Sequence, residues 1–161
     1  MSIEIRHLSA DDIPLMHGLM TLFGDVFDEP ETYSGNRPDD NYLRDLLGDR
    51  TFVALAATEG NNVIGGLAAY ELRKYEQPRS ELYIYDLAVS AAHRRRGVAT
   101  ALIEHLQRLA AQRGAWVIYV QADTGVEDVP AITLYSKLGQ REEVLHFDIA
   151  VPSRMGADRL Q

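Results

Sequence analysis

"SELYIYDLAVSAAHRRRGVATALIEHL", residues 80–106, is the stretch on which the fold turns. Its first ten residues hold β-propensity for an unusually long run. Three consecutive arginines follow, Arg94, Arg95 and Arg96, then Gly97. From Gly97 to Arg113, Val98, Leu102, His105, Leu106 and Leu109 recur at helical spacing, and Gly114 stops the run. A strand that feeds a turn and then a helix is the setting in which a helix N-terminus holds an anion. Its first N–H groups point outward unpaired, and the helix dipole adds partial positive charge. A side chain at position 97 would block close approach of a phosphate, and glycine removes that block. Ala99 is small for the same reason, and the arginines add donors to phosphate oxygens. The stretch therefore reads as a pyrophosphate cradle. Taken alone, Arg-x-x-Gly-x-Ala also fits a solvated basic loop; the strand before it and the amphipathic helix after it favour the cradle. The other phosphate signatures, G-x-x-x-x-G-K-[ST] and G-x-G-x-x-G after a strand, are absent.

Upstream, residues 2–8 alternate as a first strand. Ser9 with Asp12 resembles a capping box and opens a helix through Leu15, Leu19 and Leu22 towards Phe27. "DEPETYSGNRPDD" is a loop by composition, and residues 39–47 form a short helix that Gly48 can end in a left-handed conformation. "TFVALAAT", "EGNN" and "VIGGLAAYEL" make a strand, a turn and a strand. Downstream, "AWVIYVQAD" is too apolar to face water on one side and reads as a central strand. "DVPAITLYSKLG" is a short helix stopped by Gly139, and "EEVLHFDIAV" is a final strand. The order βααβββαβαβ predicts one α/β (α+β) domain over residues 1–151. It has a mixed, mostly antiparallel sheet of about six to seven strands flanked by about four helices. Residues 152–161 read as a flexible tail.

The chain has 161 residues, enough for one domain with a substantial core. It has no cysteine, which excludes disulfides, thiolate metal sites and a cysteine nucleophile. No H-E-x-x-H or paired-histidine spacing suggests a metal site, so none is expected. Net charge is −8 and the pI about 5.0, a field that repels nucleic acid and attracts a cationic ligand. No apolar run approaches the roughly 20 residues of a membrane span. "MSIEIRHLSADD" lacks the pattern of a signal peptide, so a cytoplasmic protein is expected, with no membrane partner.

The segment Arg94-Arg95-Arg96-Gly97-Val98-Ala99 after "YDLAVSAAH" resembles the Q/R-x-x-G-x-G/A signature of the GNAT superfamily of N-acetyltransferases. More specifically, "TFVALAA", "EQPRSELYIYDLAV", "ATALI", "VIYVQAD" and "LYSKLGQREEVLHFDI" resemble the class I aminoglycoside 3-N-acetyltransferases, the gentamicin-acetylating enzymes, over about residues 20–150. The loop "TGVEDVPAI" and the tail from Pro152 depart from that pattern. The resemblance implies acetyl-CoA as cosubstrate, with Arg94, Arg95, Arg96, Gly97, Val98, Ala99 and Thr100 around its pyrophosphate. It also implies that the strand ending Leu87, Ala88 and Val89 splays from the next one, so that the pantetheine arm pairs along that edge. A backbone N–H near Val89 would polarise the thioester carbonyl.

The function implied by the resemblance is N-acetylation of the 3-amino group of a gentamicin-like 2-deoxystreptamine aminoglycoside, with antibiotic resistance as the outcome. No nucleophile for an acyl-enzyme stands out, so direct transfer in a ternary complex is expected. Tyr135, at the family's tyrosine position, would protonate the leaving thiolate. Packing under its helix is the plainer role for that ring. Asp86 is a candidate base, directly or through a water relay; alternation places it on one face with Leu82 and Ile84. A polycationic substrate calls for acceptors, and Asp86, Asp123, Glu127, Asp128, Asp148, Asp28 and Glu29 are the candidates, with Asp25 beside them. His93 and His146 read as structural; Arg79 and Lys137 fit coenzyme contact or solvated surface equally. Another small polyamine or a peptide amine remains an alternative acceptor, and a non-catalytic coenzyme A-binding module an alternative class. The tyrosine-rich "ELYIYDL" and the last strand are compatible with a homodimer.

Overall fold

The structure, a computed structural model, describes residues 2–153 and 156–157. Its elements are β1 (Ile3–His7), α1 (Ile13–Val26), α2 (Asp40–Gly48), β2 (Phe52–Glu59), β3 (Asn62–Arg73), β4 (Ser80–Val89), α3 (Val98–Arg113), β5 (Ala115–Val120) and α4 (Val129–Leu138). Two-residue strands β6 (Pro152–Ser153) and β7 (Gly156–Ala157) pair with each other. The chain divides into two compact units, residues 1–121 and 122–161.

The first unit is built on one five-stranded sheet in the order β1-β2-β3-β4-β5. β1 to β4 are antiparallel, and β4 pairs with β5 in parallel across α3. The mixed sheet with four helices is the expected class, with five strands in the main sheet in place of six to seven. β2 is buried along seven of its eight positions because both its faces are covered. On one face, Met16, Leu19 and Phe23 of α1 and Leu43 of α2 pack on Phe52, Ala54, Ala68 and Ala88. On the other lies α3, with Val98, Leu102 and Leu106 buried. Gly65 and Gly66 set both distances. A Cβ on Gly65 would meet Val98 Cγ1 at 2.9 Å, and one on Gly66 would run into Leu19 Cδ1 and lie 2.9 Å from the Leu55 carbonyl oxygen. Adjacent strand residues point to opposite faces, so this one pair seats a helix on each side.

Five expectations change. α1 begins at Ile13 rather than Ser9, with Asp12 as N-cap; Ser9–Asp12 is a separate turn in which the Asp12 carboxylate accepts the Ser9 N–H at 2.8 Å. Gly48 closes α2 from within and is not left-handed, whereas Gly114 ends α3 at φ 73° as expected. Part of the expected loop is helical: Glu31–Gly35 is one π-turn packed against Gly24 of α1. β5 is an edge strand, not a central one. "EEVLHFDIAV" is not a strand and joins no ladder among the described residues; Leu145 and Phe147 are 84% and 76% exposed. β-propensity measures fit to a pleated, half-buried surface, and without a partner strand it forms none. Of the expected tail, residues 154–155 and 158–161 lie outside the described residues.

Candidate active site

β4 outruns its neighbour. Its pairing with β5 ends at Ile84↔Val120, while its pairing with β3 continues to Val89↔Gly65. From Tyr85 to Val89 the β5-side edge of β4 is therefore open. Ser90 N–H donates to the Ile64 carbonyl on the β3 side at 2.8 Å, so by alternation the N–H groups of Val89 and Leu87 point to the open side. The splay expected of the strand end at residues 87–89 has its counterpart in this opening, which begins at Tyr85.

A β-bulge begins the open segment. Ala69 pairs with Ile84 and Ala68 with Asp86, which leaves Tyr85 as the extra residue. The bulge reverses the alternation, so Asp86 lies on the face opposite Leu82 and Ile84, contrary to the strict period-two reading. That face is the one α1 covers. There the Tyr33 hydroxyl, carried on the π-turn, donates to Asp86 at 3.1 Å from Oδ1 and 3.2 Å from Oδ2. Phe23 and Phe27 of α1 pack on the Tyr33 ring with centroids 5.8 and 5.7 Å away. Arg37 ties the π-turn to α1 through Ser34 Oγ and Thr21 Oγ1. Burial pushes the Asp86 carboxyl above its ordinary value, the Tyr33 hydrogen bond pulls it back, and Glu29 pushes it up again. Burial and the nearby Asp86 likewise raise the Tyr33 phenol. No sequence signal marks Tyr33 or the bulge at Tyr85.

Beyond Val89 the chain turns through two left-handed residues, Arg95 at φ 60° and Gly97 at φ 75°, into α3. The first intrahelical bond of α3 runs from Ala101 N–H to the Gly97 carbonyl, so the amides of Val98, Ala99 and Thr100 have no partner within the helix. Nothing lies within 4 Å of where a Gly97 Cβ would stand. Arg94 and Arg95 are exposed and enter no ion pair among the described residues. Arg96 is instead bound to Glu59 at 3.2 Å. The other Glu59 oxygen lies 3.3 Å from His93 Nε2, and His93 Nδ1 lies 2.6 Å from Ser90 Oγ. Glu59, at the end of β2, thus holds the turn from beneath, and His93 has a structural role. Arg79 stacks 4.0 Å over the Trp116 ring.

In the second unit, Asp128 accepts the Asp123 N–H at 2.8 Å. Burial raises the Tyr135 phenol to about 12, with Asp128 adding to the shift. At neutral pH this phenol is a proton donor. Asp148 pairs with His146 at 2.8 Å in an exposed stretch. Glu127 and Lys137 are exposed, as are Asp25, Asp28 and Glu29 in the first unit. Among the described residues no group of three His, Cys, Asp or Glu could hold a metal ion, and no helix is long and apolar enough to cross a membrane.

The chain is similar to known proteins in sequence and fold. An aminoglycoside acetyltransferase from an uncultured soil metagenomic sample is 62% identical and superposes with a TM-score of 0.92, over 94% of this chain and 99% of that one. A second metagenomic aminoglycoside acetyltransferase, solved in complex with sisomicin, is 30% identical with a TM-score of 0.84, over 92% and 96%. N-acetyltransferase 8B of Rattus norvegicus is 28% identical over 104 residues, 65% of this chain and 46% of that protein. The chain spans less than half the length of the curated relatives it matches. An open strand edge running into a left-handed turn and a helix N-terminus occurs here within residues 17–140, which match the acetyltransferase (GNAT) family, and to that family of acetyl-CoA-dependent enzymes the chain belongs.

Proposed function

We propose that the chain acetylates the 3-amino group of a 2-deoxystreptamine aminoglycoside of the gentamicin type, by direct transfer in a ternary complex, and so confers resistance. The observation that carries the reading is the open edge of β4 from Tyr85 to Val89, which begins beside Asp86 and ends at the Arg95–Gly97 turn. Likeness to two aminoglycoside acetyltransferases supports the choice of acceptor.

The residues present fit acetyl-CoA. Gly97 leaves open space in front of the free α3 amides, and Arg94 and Arg95 add positive charge there. When bound, the cosubstrate supplies an activated acetyl group. Leu87, Ala88 and Val89 would offer their open edge to its arm, and the Val89 N–H would donate to a carbonyl oxygen. Asp86, its carboxyl raised by burial, would accept the proton of the acceptor ammonium directly or through water. Tyr135, protonated at neutral pH, would be the proton donor to the leaving sulfur. Asp28 and Glu29 in the first unit, and separately Asp123, Glu127, Asp128 and Asp148 in the second, are the acidic candidates for the remaining ammonium groups.

Release of free thiol from acetyl-CoA, followed across gentamicin, kanamycin, spermidine and a short peptide, tests this reading. Turnover with the aminoglycosides, and an NMR spectrum of the product acetylated at the 3-amino group, is the expected result. Acetylation at another amine removes the regiochemistry, and turnover with spermidine or peptide alone removes the acceptor.

A further inference from the structure

Four aromatic side chains form one row across the sheet. Phe52 pairs with Tyr70, Tyr70 with Tyr83 and Tyr83 with Tyr119, so direct cross-strand partners carry the row from β2 to β5. The centroids are 5.4 Å apart for Phe52–Tyr70 and 4.7 Å for Tyr83–Tyr119, which stack at 6°. The bulge adds Tyr85, edge-on to Tyr70 at 5.9 Å and to Tyr83 at 5.8 Å. Phe52 is buried, but Tyr70 is 38% and Tyr85 61% exposed, so the row surfaces on the face that carries Asp86. Ala68 and Ala88, beside Asp86 on this face, are buried in the core, while Asp86 itself is part-exposed and follows the exposed Tyr85 in the chain.

We propose that Tyr70, Tyr83 and Tyr85 form the platform on which the ring of an aminocyclitol or aminosugar acceptor lies, with one of its ammonium groups directed to Asp86. This rests on the aminoglycoside reading and names the residues that select a sugar ring over a linear amine. Tyrosine faces suit both parts of such a ligand: the C–H face of the ring packs on them, and a ring-borne ammonium is attracted to their π-density. A carboxylate at the end of the row gives the surface the charge a polycation needs, and Glu29 adds to it. The bulge is what turns Tyr85 outward from the strand's alternation and places it next to the acid.

The test compares Tyr85→Leu and Tyr85→Phe with the wild type, by steady-state kinetics and by calorimetric titration of gentamicin without acetyl-CoA. The expected result is a gentamicin KM and Kd raised about five- to tenfold in Tyr85→Leu and within twofold of wild type in Tyr85→Phe, with the acetyl-CoA KM unchanged. Spermidine, which has no ring, should bind the wild type and Tyr85→Leu within twofold of each other. Unchanged gentamicin affinity in Tyr85→Leu overturns the platform. So does an unchanged affinity accompanied by a loss of dimer in sedimentation velocity, which assigns the row to a protein interface. If the wild type binds gentamicin without acetylating it, the proposed reaction fails while the calorimetry still judges the platform; no binding to the wild type overturns both.

Discussion

Burial acts alike on the Asp86 carboxyl and the Tyr135 phenol, raising both. The Asp86 carboxyl is raised by burial, so the folded chain holds its proton more tightly than the unfolded chain does. Stability from this group is therefore fully present below the ordinary value of 3.8 and is lost as pH rises through the folded value. Asp86→Asn removes the loss and keeps an acceptor for the Tyr33 hydroxyl. Urea unfolding should find the variant more stable than wild type at pH 7, with the gain gone by pH 3.5, while turnover drops about 10²-fold. A variant no more stable at pH 7 would contradict the buried carboxylate. Tyr135, with a phenol near 12, is protonated throughout the working range. Tyr135→Phe should lower kcat by about 10²-fold or more with little change in either KM. An unchanged kcat would leave Tyr135 a packing residue. Gly97 and the arginines are legible in the sequence because strand, glycine and amphipathic helix each leave a periodic mark. Tyr33 is not, since its π-turn has the composition of a loop.

Among the elements, β3 matters more than its sequence suggests. Gly65 and Gly66 sit back to back, one under Val98 at the head of α3 and the other under Leu19 of α1. Gly66→Ala would press on Leu19 and on the Leu55 carbonyl oxygen and should cost about 1–3 kcal/mol in urea unfolding. Gly65→Ala should cost less but displace the first turn of α3, raising the acetyl-CoA KM several-fold at nearly constant acceptor KM. Equal effects of the two substitutions would contradict this division of labour. The boundaries of β2, β3, β4 and α3 follow the sequence closely because their propensity, periodicity and end signals agree. Failures fall where one signal stands alone. One inserted residue at Tyr85 reverses the facing of Asp86, since a bulge has no compositional mark. "EEVLHFDIAV", read as a final strand, has no ladder to join.

For the molecule as a whole, charge is distributed against its own average. The chain carries −8 yet concentrates Arg94, Arg95 and Arg96 at one turn. On the proposed function, an anionic cosubstrate would meet a local positive field and a cationic acceptor the negative remainder. Raising salt from about 0.05 to about 0.5 M should lower kcat/KM for gentamicin several-fold and affect a singly charged amine much less. Equal salt dependence for both would argue against steering of a polycation. The central claim is that the left-handed turn and the α3 amides hold acetyl-CoA. Calorimetric titration of acetyl-CoA into Gly97→Glu, beside wild type and Gly97→Ala, tests it most directly. Both variants share the conformational penalty of a side chain at φ 75°, about 1–2 kcal/mol, but only glutamate puts bulk and negative charge into the open space. Both should be folded by circular dichroism, with binding abolished in Gly97→Glu and kept within a few-fold in Gly97→Ala. Wild-type affinity in Gly97→Glu would contradict the cradle.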